Sequence, residues 1–407
     1  MGTSGRSCSP VGARAALTLL LTGTLLAGCS STRHGGPEPA PRESSAPAPR
    51  PTALAAACEV KLPAAWRSAL AAGELRAPAG ERAMLTDTGP GWTAVQLSGA
   101  DRRRAALVAG GAAPRTLMAL ADPVEHQLLA ADFDGRRWAA FAVLEGRTLD
   151  SPWSLYVWDA ETGSSRRLAR ADRPGPLPQP VVRDGTVHWA QGVGDGRATV
   201  FAAPASGGAP RALHTGVVDA PFAVGGLLVW RESTGSGTRL AAVSLGDGRP
   251  AELPGPLAAL RNVRSVVADG GSNGGNGGNG GNGGSGGNGS GGGTWAWVAG
   301  EAEPRLMVWR EGDARPTAVV TTSPAVDGMD QLRISGRLVT WRTPETSYAL
   351  DLGTGSYTRI TPAYGYAQAR GGALAVAYSV GNAKADGSRP VIQVVDAARL
   401  PALPRCG

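Results

Sequence analysis

The chain has 407 residues, 42% of them hydrophobic and 18% charged, with a formal net charge of +7. That length suits two or three small domains or one large closed architecture. Sixty Gly and 31 Pro among so few charges exclude long helices and demand many turns. Only Lys61 and Lys384 are lysines, so 38 of the 40 basic residues are Arg, spread along the chain without a basic block. The one run, Asp101-Arg102-Arg103-Arg104, reads as a solvated hairpin turn, which argues against nucleic acid as a partner.

Residues 1–14 carry Arg6 and Arg14 and no acid, and residues 15–28 form an uncharged stretch with six Leu. Fourteen residues match the apolar region of a signal peptide and are too few to span a bilayer. The stretch ends in Leu26-Ala27-Gly28-Cys29, which resembles a bacterial lipobox. The resemblance implies removal of residues 1–28 and attachment of lipid to the Cys29 thiol. It also implies a site at the extracytoplasmic face of the cell membrane, held there by acyl chains, two or more of which anchor stably. The remaining chain has 38 basic against 33 acidic residues, near +5. Residues 29–57 then form a tether: Pro37, Pro39, Pro41, Pro47, Pro49 and Pro51 favour extended, disordered backbone.

Cys8 leaves with the signal and Cys29 takes lipid, so Cys58 and Cys406 remain, one at each end of residues 58–407. Outside the cytoplasm such a pair is expected to form a disulfide, with two unrelated thiols as the alternative. Two Cys and four His do not suit a zinc site, and no metal or cofactor is expected.

The body repeats. Alternating runs carry the anchors Val95, Phe141, Trp189, Trp230, Trp297, Trp341 and Tyr378, at steps of 46, 48, 41, 67, 44 and 37 residues. The long step contains residues 270–293, a Gly/Asn/Ser tract of 24 residues, and falls to 43 without it. A second alternating run follows each anchor, at 104–108, 154–158, 199–202, 240–243, 306–309, 348–350 and 391–394. A short outer run comes next, at 114–117, 166–168, 210–213, 251–253, 317–319, 358–360 and 400–403. Two-residue alternation between Thr-Gly, Gly-Gly and Asp-Gly turns means antiparallel strands in hairpins. Four short strands per unit of this length predict an all-β fold, a β-propeller of seven four-stranded blades over residues 58–407. Six blades is the alternative if the first unit is irregular, and an unclosed stack of sheets is the simpler competitor. Ahead of the repeats, Trp66 and Leu70 lie one turn apart and predict a short helix within 63–75.

Two units carry a resemblance. Asp134-Gly135, Leu155-Tyr156-Val157-Trp158-Asp159, Thr162-Gly163 and Arg167-Leu168 resemble TolB-like and WD-like propeller repeats. Tyr348-Ala349-Leu350-Asp351, Thr354-Gly355 and Arg359-Ile360 are similar. The Ser-Pro-Asp-Gly turn typical of TolB repeats is absent, Val182-Arg183-Asp184-Gly185 being nearest. TolB proteins carry an α/β domain before the propeller, and residues 58–79 are too few for one.

No nucleophile elbow, His-Glu-x-x-His pair or phosphate-cradling Gly-x-x-x-x-Gly-Lys is present. His34 lies in the tether; His188 alternates with Val187 and Trp189 and so falls on the opposite face of a strand; His214 completes the four. His126 stands where the chain would enter an inner strand and is the best catalytic outlier, yet no residue is assigned a catalytic role. Asp132-Phe133-Asp134-Gly135 reads as an Asp-Gly hairpin turn rather than half a calcium loop, and the 270–293 tract lacks the Asp that calcium would need. The expectation is a monomeric, lipid-anchored, non-enzymatic propeller that binds an envelope protein, peptide or glycan. The alternative is an extracytoplasmic hydrolase or lyase with its site at the central channel, which carboxylates, His126 and Arg gathered at one channel mouth would favour.

Overall fold

The structure is a computed structural model that describes residues 56–109, 112–121, 126–270, 293–300, 303–321, 328–381 and 388–406. The expected signal segment, Cys29, the expected tether up to residue 55 and residues 271–292 of the Gly/Asn tract lie outside the described residues.

A short strand β1 (Cys58–Glu59) and a helix α1 (Ala64–Ala72) precede the repeats. Antiparallel groups of strands then follow one another along the chain. The first holds β2 (Arg82–Gly89), β3 (Trp92–Ser98), β4 (Arg103–Ala109) and β5 (Arg115–Leu120). The second holds β6 (His126–Phe133), β7 (Trp138–Glu145), β8 (Trp153–Asp159) and β9 (Ser164–Ala171). The third holds β10 (Val181–Arg183), β11 (Thr186–Gly194), β12 (Arg197–Pro204) and β13 (Arg211–Val218). The fourth holds β14 (Phe222–Val224), β15 (Leu227–Thr234) and β16 (Gly237–Ser244). The end of β13 also pairs with β15, at Val217–Ser233 and Val218–Glu232, which merges the third and fourth groups into one sheet. The fifth holds β17 (Ser265–Asp269), β18 (Thr294–Ala299), β19 (Arg305–Arg310) and β20 (Thr317–Val320). The sixth holds β21 (Asp330–Ser335), β22 (Leu338–Arg342), β23 (Ser347–Asp351) and β24 (Ser356–Arg359), with β1 added parallel to β24. The seventh holds β25 (Tyr366–Arg370), β26 (Ala373–Val380) and β27 (Arg389–Asp396). The fold is an all-β propeller, and it closes where β2 of the first group packs against β25, β26 and β27 of the last.

The anchors behave as the repeat implies. Val95, Phe141, Trp189, Trp230, Trp297 and Trp341 all lie on the second strand of their group and are buried, while Tyr378 on β26 is half-buried. Phe141–Tyr156, Trp189–Phe201 and Trp341–Tyr348 are direct cross-strand partners, stacked at 5.5, 5.4 and 5.5 Å. Each buried indole removes on the order of 200 Å² from water, worth roughly 5 kcal/mol before entropy is counted. The core is not central. It lies between neighbouring groups, as where Ala94 and Leu107 of the first pack with Phe141 and Trp158 of the second.

The outer position of the last group departs from the sequence reading. Residues 400–403 form no strand; Pro401 and Pro404 deprive that segment of ladder donors. The N-terminal segment takes the place instead: Leu75 N donates to Ile392 O at 2.8 Å and Val394 N to Gly73 O at 2.9 Å. A Cβ at residue 73 would collide with the Val394 carbonyl, so the close approach needs glycine. In the fourth group the expected run 251–253 is likewise no strand, and only Pro250 bridges to Val243. Helix α1 forms as predicted and buries Trp66 and Leu70, the Trp66 indole donating to Pro401 O at 2.8 Å.

The WD-like residues serve as turn clamps. Asp159 pairs with Arg137 at 2.8 Å and accepts from Glu161 N at 2.9 Å. Asp351 pairs with Arg337 and accepts from Gly353 N at 2.9 Å. In each case the acid that ends the third strand holds the arginine of the turn between the first and second strands.

Candidate functional site: the axial channel

The first strand of every group, β2, β6, β10, β14, β17, β21 and β25, contributes to one cavity of about 810 Å³. Five carboxylates line it: Asp87, Asp132, Asp134, Asp219 and Asp269. So do five guanidinium groups: Arg183, Arg231, Arg264, Arg333 and Arg370. In the fourth group the lining runs from the entering loop, Asp219 and Pro221, to the turn at Gly225.

Three of these strands carry a β-bulge just ahead of, or at, a channel residue: between Leu85 and Asp87 in β2, Leu128 and Ala130 in β6, and Asp330 and Arg333 in β21. A bulge resets the two-residue alternation and re-aims the side chains beyond it. Gln331, in the left-handed region at φ 47°, marks the third.

Arg370 is the hub of the polar network. Its Nη1 donates to Asp87 Oδ1 at 3.0 Å and to Ala131 O at 3.1 Å, and its Nη2 to Asp132 Oδ1 at 2.8 Å. Asp132 Oδ2 accepts from Val182 N at 2.7 Å and faces Arg183 at 3.4 Å. Four strand groups (the seventh, first, second and third) are thereby linked at one edge of the channel. Burial pushes the Asp132 carboxyl up, against the opposing pull of Arg370, Arg183 and the Val182 amide. Burial works to lower Arg370, but the two carboxylates outweigh it and hold the guanidinium firmly charged. Beside them, burial pushes the Tyr366 phenol up to about 12, so it stays a neutral donor to Gln368 Oε1 at 2.8 Å.

The remaining groups are joined by further polar contacts. Arg231 Nε holds Asp219 Oδ2 at 2.5 Å, while its Nη1 reaches Val263 O at 2.9 Å in the approach to β17. Asp269 accepts from Gly336 N, and Ser335 Oγ accepts from Gly372 N at 2.6 Å.

Of the residues singled out in the sequence, Cys58 and Cys406 are joined by a disulfide, with Cα atoms 5.9 Å apart. Cys29 and His34 lie outside the described residues. His126 opens β6 opposite Glu145, at the far end of the strand from Asp132, and does not line the channel. Asp134 does make the expected turn, its Oδ1 accepting from the amides of Arg136, Arg137 and Trp138. His214 Nε2 meets Glu232 Oε1 at 2.7 Å, a contact that ties the third group to the fourth. Among the described residues no group of three or more metal-ligating side chains converges.

His188 is buried in β11 with its Nδ1 unpartnered. Burial pushes its imidazole down to about 4 from 6.5, opposed by a backbone hydrogen bond with Val181. The unfolded chain therefore binds the proton first as pH falls. His188 contributes its full stability above pH 6.5 and loses it progressively down to about pH 4, a change of about 3 kcal/mol. Urea unfolding of the His188→Gln variant should show a flatter pH dependence than the wild type across that window. Equal slopes would place the titration elsewhere.

No protein-family model matches the chain, and no curated protein matches it in sequence. Solved structures match its fold. The chain is similar to a prolyl endopeptidase at 14% identity, with a TM-score of 0.50 over 80% of this chain and 48% of that one. TolB from Acinetobacter baumannii matches at 12% identity and a TM-score of 0.39, over 77% of this chain and 63% of that one. The β-propeller domain of the trilobed protease from Pyrococcus furiosus matches at 12% identity and a TM-score of 0.46, over 73% and 91%. The chain thus spans about half the length of the endopeptidase. The prolyl endopeptidase match bears on the expectation of a non-enzymatic protein and corrects it. The fold is shared with a peptidase, and carboxylates and guanidinium groups do gather in the channel, although His126 does not join them.

Proposed function

We propose that the strand groups are the seven blades of an extracytoplasmic propeller hydrolase or lyase whose substrate enters the axial channel. The observation that carries this reading is the convergence of five carboxylates and five guanidinium groups on one cavity from all seven innermost strands. Carboxylates at an entrance can exchange protons with a bound substrate, and guanidinium groups can orient it. Asp219, exposed on the loop entering β14 and held through one oxygen by Arg231, is the carboxylate best placed for that exchange. The prolyl endopeptidase match supports hydrolysis of peptides as the first chemistry to try.

The test incubates the purified full chain with a mixture of short peptides and a mixture of oligosaccharides, each including acidic members, and reads new termini by mass spectrometry. Products are expected with the wild type and at about a hundredfold lower rate with Asp219→Asn. The absence of any product from either mixture would refute the reading.

The lipobox-like run ending in Cys29 supports a position at the membrane surface, with lipid on that thiol as the anchor. Cys29→Ala should move the protein from the membrane pellet to the soluble fraction, because no other anchor is proposed. Among the described residues no helix is long and apolar enough to cross a membrane. Retention of the variant in the pellet would overturn the lipid-anchor assignment.

A further inference from the structure

The ten charged side chains of the channel can be matched with partners one at a time. Every carboxylate is engaged: Asp87 and Asp132 by Arg370, Asp134 by three turn amides, Asp219 by Arg231, and Asp269 by the Gly336 amide. On the cationic side Arg370, Arg231 and Arg183 each face a carboxylate. Arg264 and Arg333 do not. Arg333 Nη1 donates to its neighbour's carbonyl, Leu332 O, at 3.1 Å, and the Arg264 side chain makes no hydrogen bond or ion pair among the described residues. Equal numbers of the two charges leave an imbalance because backbone amides, rather than guanidinium groups, satisfy Asp134 and Asp269.

The two arginines stand on neighbouring innermost strands. Arg264 is exposed immediately before β17, and Arg333 is half-buried in β21, which packs against β17. The bulge between Asp330 and Arg333 sets the register that follows, so that Leu332 goes to the core while Arg333 lines the cavity. A half-buried guanidinium without a carboxylate is a donor fork awaiting an oxyanion.

We propose that Arg264 at the entrance and Arg333 within select a substrate chain that carries carboxylates. This rests on the reading of the channel as the substrate site, but not on turnover. A carboxylate brings a single charge that one guanidinium balances. A phosphate dianion would add a second charge beside five acids and be repelled by them.

The test measures binding of fluorescein-labelled tri-glutamate, labelled tri-galacturonate, a labelled phosphoserine peptide and a labelled neutral tripeptide to the full chain. Wild type, Arg264→Gln, Arg333→Gln and the exposed control Arg261→Gln are compared by anisotropy. Wild type is expected to bind at least one carboxylate probe, and the winning probe tells peptide from sugar. Each channel substitution should weaken that binding about tenfold and flatten its salt dependence, while Arg261→Gln leaves both unchanged. Among the described residues the Arg264 side chain holds no other group and that of Arg333 only the adjoining Leu332 carbonyl, and circular dichroism of each variant confirms its fold. Preference for the phosphopeptide or the neutral probe, or binding indifferent to both substitutions, overturns the proposal. Failure of wild type to bind any carboxylate probe overturns it too, whether or not neutral substrates are turned over. Tight carboxylate binding without turnover supports the pair and counts only against the enzymatic reading.

Discussion

Replacing Arg370 by Leu should destabilise the propeller by about 3–5 kcal/mol, the largest loss expected from any single change in the channel. The guanidinium is the shared partner of Asp87 and Asp132, whose side chains are only 10% and 5% exposed. Its removal leaves two carboxylates in a low-dielectric setting with their mutual repulsion unopposed, apart from Arg183 at 3.4 Å from Asp132. A buried ion left without its partner costs far more than the pair contributes when intact. The triple variant Arg370→Leu, Asp87→Asn, Asp132→Asn should therefore recover most of the loss, since neutral amides can still serve the Ala131 and Val182 amides. Urea midpoints for the three proteins decide the matter. A single variant as stable as the wild type would show that solvent or rearranged neighbours already neutralise the acids.

Breaking the disulfide between Cys58 and Cys406 should cost about 3–5 kcal/mol. The bond joins residues 348 apart in sequence, and the loop-entropy treatment puts a closure of that length at about 6 kcal/mol as an upper limit. Other contacts retain part of the order at both ends. Leu403 N donates to Asp351 Oδ2 at 3.0 Å, Ser356 Oγ to Pro404 O at 2.5 Å, and Trp66 to Pro401 O. What the bond adds is a fixed position for β1, from which the chain runs through α1 to residues 73–75 on the edge of the seventh group. The double variant Cys58→Ser, Cys406→Ser should lose stability to the same extent as reduced wild type. It should also exchange amide hydrogens faster at Leu75 and Val394, whose bonds form that edge. Unchanged exchange there would mean that the closure holds without the covalent link.

Both predictions concern closure, and the two kinds of closure were unequally legible in the sequence. The disulfide could be expected because only two cysteines bracket the repeats. The Arg370 hub could not. Its partners lie 283 and 238 residues away, and Arg370 itself ends a strand for which no alternating run stood out. The anchor runs were visible because the second and third strands of each group are buried between neighbouring groups, which imposes apolar alternation. The innermost strands face a polar channel on one side, and three are bulged, so neither alternation nor composition marks them. Asp132 shows the difficulty: by sequence it belongs to an Asp-Gly turn, and Asp134 does make that turn, while Asp132, two residues earlier, belongs to the channel network.

Residues 400–403 carry the same lesson for the outer edge. Their apolar pattern matched an outer strand, but a strand needs free donors, and the two prolines withdraw them. The N-terminal segment supplied them from the other end of the chain, at a position where only glycine fits.

By itself, the amino-acid sequence determined the all-β repeat, its anchors, the short helix and the cysteine pair, because each follows from local periodicity or from a simple count. The tertiary structure alone decided which acids and arginines meet in the channel, which of them are left without a partner, and how the last group is completed. Those outcomes depend on contacts between residues hundreds of positions apart, and bulges shift the parity by which a strand's inward face could have been read.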